Sequence, residues 1–88
     1  MAEYVNTTST TAKQTFGDSS PYAPSFDIEI SATATVLIYQ GNNSDNTRLV
    51  GTITTSGVYH EAGVCDFFSI EVTANTGTVV VSVANIRG

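Results

Sequence analysis

Thirty of the 88 residues carry a branched β-carbon (14 Thr, 10 Val and 6 Ile), against two Leu. A branched Cβ restricts a side chain in a helix and packs well on a pleated surface, so this vocabulary specifies strands. No segment shows a sustained 3.6-residue apolar repeat, and almost no helix is expected. The length is that of one domain. A domain of this size buries only about 60–65% of the surface its unfolded chain exposes, which leaves a thin stability margin. The single cysteine, Cys65, excludes an intrachain disulfide as a staple.

From Phe26 onward the apolar residues alternate. Phe26, Ile28 and Ile30 interleave with Asp27, Glu29 and Ser31, a period of two with one buried face. A second strand is expected over Thr33–Gln40. A third spans Thr47–Thr55, with Leu49, Gly51 and Ile53 on one face and Val50, Thr52 and Thr54 on the other. A strand over Cys65–Thr73 sets Phe68, Ile70 and Val72 against Phe67, Ser69 and Glu71, and the last, Thr78–Asn85, sets Val79, Val81 and Val83 against Val80 and Ser82. Turn formers separate them at Gly41–Asn46, Ser56-Gly57 and Ala74–Gly77. Val58–Val64 reads as a short edge strand or a bent loop. Five or six such strands make an all-β fold, a small antiparallel β-sandwich or jelly-roll-like barrel.

Residues 1–25 differ from residues 26–88. Asn6–Thr11 is low in complexity, and Gly17–Ser25 carries turn formers and two prolines, with only Tyr4, Val5, Phe16 and Tyr22 as strongly apolar side chains. This composition predicts an extended N-terminal arm, either free or ordered against a neighbouring subunit through those four residues, ahead of a β-sandwich domain over 26–88. Strands at Val36–Tyr39 and Val79–Val81 are apolar on both faces, and such a strand needs cover on both. The cover is the arm of the same chain or a partner. Charged residues make only 12% of the chain, against about 25% in a typical soluble domain, which favours a partner. Leu37, Tyr39 and Val80 join the four arm residues as interface candidates.

Composition excludes some functions. Three basic against eight acidic residues cannot neutralise a useful number of phosphates, so no nucleic-acid partner is expected. The longest apolar runs fall far short of the roughly 18 residues a membrane helix needs. The lone cysteine fits synthesis in a reducing cytoplasm, and no signal peptide is expected, since residues 1–4 lack a basic region followed by an apolar run. Ser56, His60 and Asp66 supply triad residue types but no Gly-x-Ser-x-Gly elbow. His60, Glu61, Cys65 and Asp66 supply metal-ligand types without paired zinc spacing. The loop Asn42–Asn46 offers oxygen ligands but a single carboxylate, Asp45. No catalytic residue, metal or cofactor is expected from these patterns. Sugar stacking would fall to Tyr39 or Tyr59, since the chain has no Trp.

The order of segments from Ala34 to Val83 is itself a pattern. A strand Ala34-Thr35-Val36-Leu37-Ile38-Tyr39-Gln40-Gly41 precedes an Asn/Ser/Asp-rich loop, then Leu49-Val50-Gly51-Thr52-Ile53-Thr54, a crossing segment, and a closing hairpin from Phe68 to Val83. This resembles small β-sandwich virion structural proteins of tailed bacteriophages, of the capsid decoration (cement) type, although the loop here lacks the aromatic that usually follows it in that family. The resemblance implies a non-enzymatic protein of the virion surface, made in the host cytoplasm. It implies the major capsid protein or other virion proteins as partners, a homo-oligomer with a trimer favoured, and an N-terminal arm that clamps neighbouring capsid subunits. The competing expectation is a carbohydrate-binding, host-recognition module of a tail or fibre; a bacterial surface or pilus-type adhesion domain is the third.

Overall fold

The computed structural model describes residues 2–22, 24–43, 45, 47–60 and 65–85, with the backbone alone described for 2, 18–22, 65 and 85. Eight strands follow one another: β1 (Ala2–Thr7), β2 (Thr11–Tyr22), β3 (Pro24–Ile30), β4 (Ala34–Gly41), β5 (Arg48–Ile53), β6 (Gly57–Tyr59), β7 (Cys65–Asn75) and β8 (Val79–Asn85). They nest as one long doubled hairpin. β4 pairs with β5, β3 with β6, β2 with β7 and β1 with β8, all antiparallel. Rolling that hairpin up brings β8 beside β3 and β7 beside β4. The result is two four-stranded sheets, β1-β8-β3-β6 (sheet A) and β2-β7-β4-β5 (sheet B). Only the β4–β5 connection keeps the chain within one sheet. This is the wiring of a jelly roll.

The period-2 alternation decides what lies between the sheets. Sheet A contributes Val5, Phe26, Ile28, Val79, Val81 and Val83; sheet B contributes Ala34, Val36, Ile38, Phe68, Ile70 and Val72, none more than 7% exposed. Each such Val, Ile or Phe contributes roughly 1.5–3 kcal/mol by leaving water. Phe26 and Phe68 meet edge-to-face across the gap, ring centres 5.4 Å apart, and join the two layers at one end of the core.

The structure corrects the reading of the first 25 residues. They are extended, but they do not stand apart: β1 and β2 are the outermost strands of the two sheets, on the flank formed by β8 and β7. Val5 is buried, and Tyr4 and Phe16 stack on Phe68 with centroid distances of 5.5 and 5.6 Å. Backbone pairing does not depend on side-chain identity, so a Thr/Ser-rich segment extends a ladder while supplying few core residues. The strand count therefore rises to eight, and the folded unit includes the segment expected to lie outside it.

A second correction concerns β5. Its register against β4 shifts between Ile38 and Tyr39, which pairs Leu49 with Tyr39 and passes over Val50. The bulge turns Leu49 outward, 53% exposed, while Val50 packs on the core. Val50 is thereby placed where its carbonyl accepts the Tyr59 hydroxyl at 2.6 Å. The Tyr59 ring closes this flank by lying over Gly51: a Cβ there would sit 2.6 Å from its Cζ.

Two outcomes follow. Removing residues 1–23 strips both sheets of an edge strand and opens the core at Val5, so the truncated chain loses its cooperative thermal transition by circular dichroism; a free arm would leave that transition intact. Gly51→Ala, which forces the Tyr59 ring from its seat, destabilises by about 1–3 kcal/mol in urea unfolding, and the loss shrinks when combined with Tyr59→Ala.

Candidate functional site

The two sheets turn different chemistry outward. On sheet B, Leu37 and Tyr39 of β4 face out beside Glu71 of β7, and the chain covers Tyr39 itself. The Tyr39 hydroxyl donates to Glu71 Oε1 at 2.7 Å. Lys13 Nζ lies 4.2 Å from the centre of the Tyr39 ring and donates to the Thr47 carbonyl at 3.4 Å. Thr15 and Thr47 hydroxyls flank that of Ser69 at 2.8 and 2.9 Å, and Ser69 is fully buried although it lies on the outer side of its strand. The part of the expected arm that touches this face is thus β2, through Lys13 and Thr15. The hydrogen bond to Glu71, then burial, then the Glu71 charge all raise the Tyr39 phenol above its usual 10.0.

Sheet A's outer face has no such strap among the described residues. The register places Glu3, Ser82, Asp27 and Val58 in one row across β1, β8, β3 and β6, and Asn6, Val80 and Glu29 in the next. Val58 is 71% exposed, and Val80 is half-buried between its neighbours. Glu3 Oε1 accepts from Asn6 Nδ2 at 3.4 Å. Both described cations, Lys13 and Arg48, belong to sheet B strands, so this face carries three carboxylates and no described base.

At the end of that face a groove of about 260 Å³ is lined by Glu29, Ile30, Ser31, Ser56, Thr78 and Val80. Two of its hydroxyls are committed to the backbone. Ser31 Oγ accepts from Thr78 N–H at 2.7 Å; Ser56 Oγ accepts from Ile30 N–H at 2.8 Å and donates to Ile30 C=O at 3.2 Å. Ser56 thus continues the β3–β6 ladder beyond the point where β6 begins. A second groove, about 300 Å³, runs along residues 52–59 with Tyr59 at one wall.

The sequence-derived candidates separate on this frame. Val5 lies in the core and Phe16 packs against it, so neither forms a free surface; Tyr4 stays 39% exposed at the β1 edge. The Tyr22 side chain lies outside the described residues. Leu37 and Tyr39 share the strapped face of sheet B, and Val80 stands on the open face of sheet A. Val58 and Leu49 are the exposed apolar residues that strand patterning missed. A three-residue strand is too short to show alternation, and the β5 bulge breaks the parity by which Leu49 was set on one face with Gly51 and Ile53.

The residues with catalytic or metal-binding chemistry are dispersed. Ser56 is bound to Ile30 and His60 Nδ1 to the Pro24 carbonyl at 2.9 Å, the two ends of β3. Glu61 and the Cys65 side chain lie outside the described residues. Among the described residues, no three His, Cys, Asp or Glu side chains gather where they could hold a metal ion. For sugar stacking, one face of Tyr39 is taken by Lys13, and the Tyr59 ring is held over Gly51 with its hydroxyl on Val50. No protein-family model matches the chain, and no curated protein or solved structure matches it.

The Tyr39–Glu71 contact has a measurable consequence. The folded state holds the phenolic proton more tightly than the unfolded chain, so its contribution to stability is complete below about pH 10 and is lost as pH rises through the folded value. Ultraviolet titration of the wild-type chain and of Glu71→Gln shows one tyrosine ionisation, that of Tyr39, moving down in the variant.

Proposed function

We propose that this chain is a non-enzymatic structural protein of a virion, a capsid decoration protein that seats on neighbouring major capsid subunits through the outer face of sheet A. One observation carries the reading. The roll covers the outer side of β4 with its own Lys13 and Thr47 but leaves Val58 exposed and Val80 half-covered on the other sheet. An apolar centre with a polar rim is the anatomy of a docking surface. The jelly-roll wiring, which viral capsid domains share with lectins and cupins, adds support by analogy of fold.

This replaces the arm clamp by face docking. β1 and β2 hold the sandwich together, and a rigid sheet presents the contact residues. In the same reading the working unit is a trimer at a capsid symmetry axis, located on the virion surface. The test is binding of the purified chain to capsids stripped of it, followed by sedimentation. Val58→Asp and Val80→Asp each weaken binding about tenfold or more, with the melting temperature unchanged for the exposed Val58 variant. A wild-type chain that does not sediment with stripped capsids overturns the proposal. A glycan-array signal abolished by altering the wall of the Tyr59 groove would assign host recognition in its place.

A further inference from the structure

We infer that the partner of sheet A's outer face is a cationic protein surface, one of whose lysine or arginine side chains lies in the groove beside Glu29. The inference rests on the docking reading above and names the chemistry of its partner. Charge supplies the first argument. Glu3, Asp27 and Glu29 stand on adjoining rows of this face, whereas the lysine and arginine among the described residues, Lys13 and Arg48, belong to the other sheet. A basic partner compensates those carboxylates, and an acidic one is repelled.

The groove supplies the second. Its volume, about 260 Å³, has room for a single long side chain. Ile30 and Val80 offer an apolar wall for an aliphatic stem, and Glu29 offers a carboxylate to a charged head, the two halves of a long basic side chain. The Ser31 and Ser56 hydroxyls already serve the backbone, so Glu29 is the charged group that selects the occupant. A second copy docking through sheet B would not match. Lys13, the described cation seen on that outer face, is engaged with Tyr39 and Thr47.

Two arms test this. The full-length ¹⁵N-labelled chain is titrated with N-acetyl-arginine amide, with the neutral isostere N-acetyl-citrulline amide as control. Amide shifts are expected at Glu29–Ser31, Ser56 and Thr78–Val80 with arginine alone, reduced at least fivefold in Glu29→Gln and unchanged in Asp45→Asn, which removes the same charge from an exposed loop. In capsid sedimentation, Glu29→Gln weakens binding about tenfold, and raising the salt from 50 to 300 mM weakens wild-type binding more than that of the variant. Equal shifts with citrulline, or an Asp45→Asn effect equal to that of Glu29→Gln, overturn the inference. So does capsid binding indifferent to Glu29 and to salt, although face docking would survive it. Arginine shifts confined to the groove in a chain that ignores capsids uphold the cationic partner and remove the virion.

Discussion

The roll depends on three corners that meet at one end of the sandwich, where the chain crosses from sheet to sheet and the strand ladder breaks. Between β3 and β4, Ser31 N–H donates to the Thr78 carbonyl at 3.0 Å, while Thr76 N–H and Oγ1 both reach the Thr33 carbonyl, at 2.8 and 3.1 Å. Thr33 N–H returns a bond to Thr76 Oγ1 at 3.1 Å. Asn75 Nδ2 bridges to the Thr7 and Ser9 carbonyls at the β1–β2 corner, and Asn75 Oδ1 accepts from Gly77 N–H. These short hydroxyl and amide side chains satisfy backbone groups that the ladder abandons, each contributing about 0.5–1.5 kcal/mol net. Gly77 is required by the crowding, since a Cβ would press on Ser31 and come within 2.9 Å of Ala32 Cβ. The Thr/Ser excess therefore has a second cause beyond strand propensity: it staples the crossings of a chain without a disulfide.

Those corners divide the outer faces unequally. On sheet B, Thr47 ahead of β5 bonds Ser69 and accepts from Lys13. β6 ends the other sheet after three residues, and Ser56 and His60 reach the backbone of β3 on either side of it. Sheet A thus ends on a short, side-chain-capped edge that resists further pairing, while its face remains open. The few charges follow this division: the chain places its described lysine and arginine on sheet B and leaves carboxylates facing outward on sheet A.

Much of this was legible from residue order. The inward sets Phe26-Ile28, Phe68-Ile70-Val72 and Val79-Val81-Val83 follow from strict alternation, and each is buried as that alternation requires. Val80 was legible as an outward apolar residue on the same ground. β1 and β2 were not, because an edge strand needs one flank of backbone pairing and only a residue such as Val5 to touch the core. Thr, Ser and Asn serve there as well as Val does, so composition reads as an arm. Leu49 was misplaced for a different reason: one bulge reverses parity for everything on its far side, and nothing in Arg48–Ile53 announces it. The groove beside Glu29 was beyond reach, because its walls come from β3, β8 and the segment before β6 and exist only once the hairpin is rolled.

The fold and the proposed docking face cannot be varied independently. β3 and β8 pair without a break from Pro24 with Asn85 to Ile30 with Val79, so the spacing of Asp27, Glu29 and Val80 is set by the ladder and needs no ordering on binding. A face fixed in this way gives up little conformational entropy to a partner. The same ladder constrains the core, since a slip of one residue would carry Val80 and Ser82 inward and turn Val79, Val81 and Val83 to solvent. Selection for the buried valines therefore also holds the carboxylate rows in place. Substitutions that would tune the proposed docking without cost to the fold fall at the outward positions of β1, β3 and β8 and at Val58.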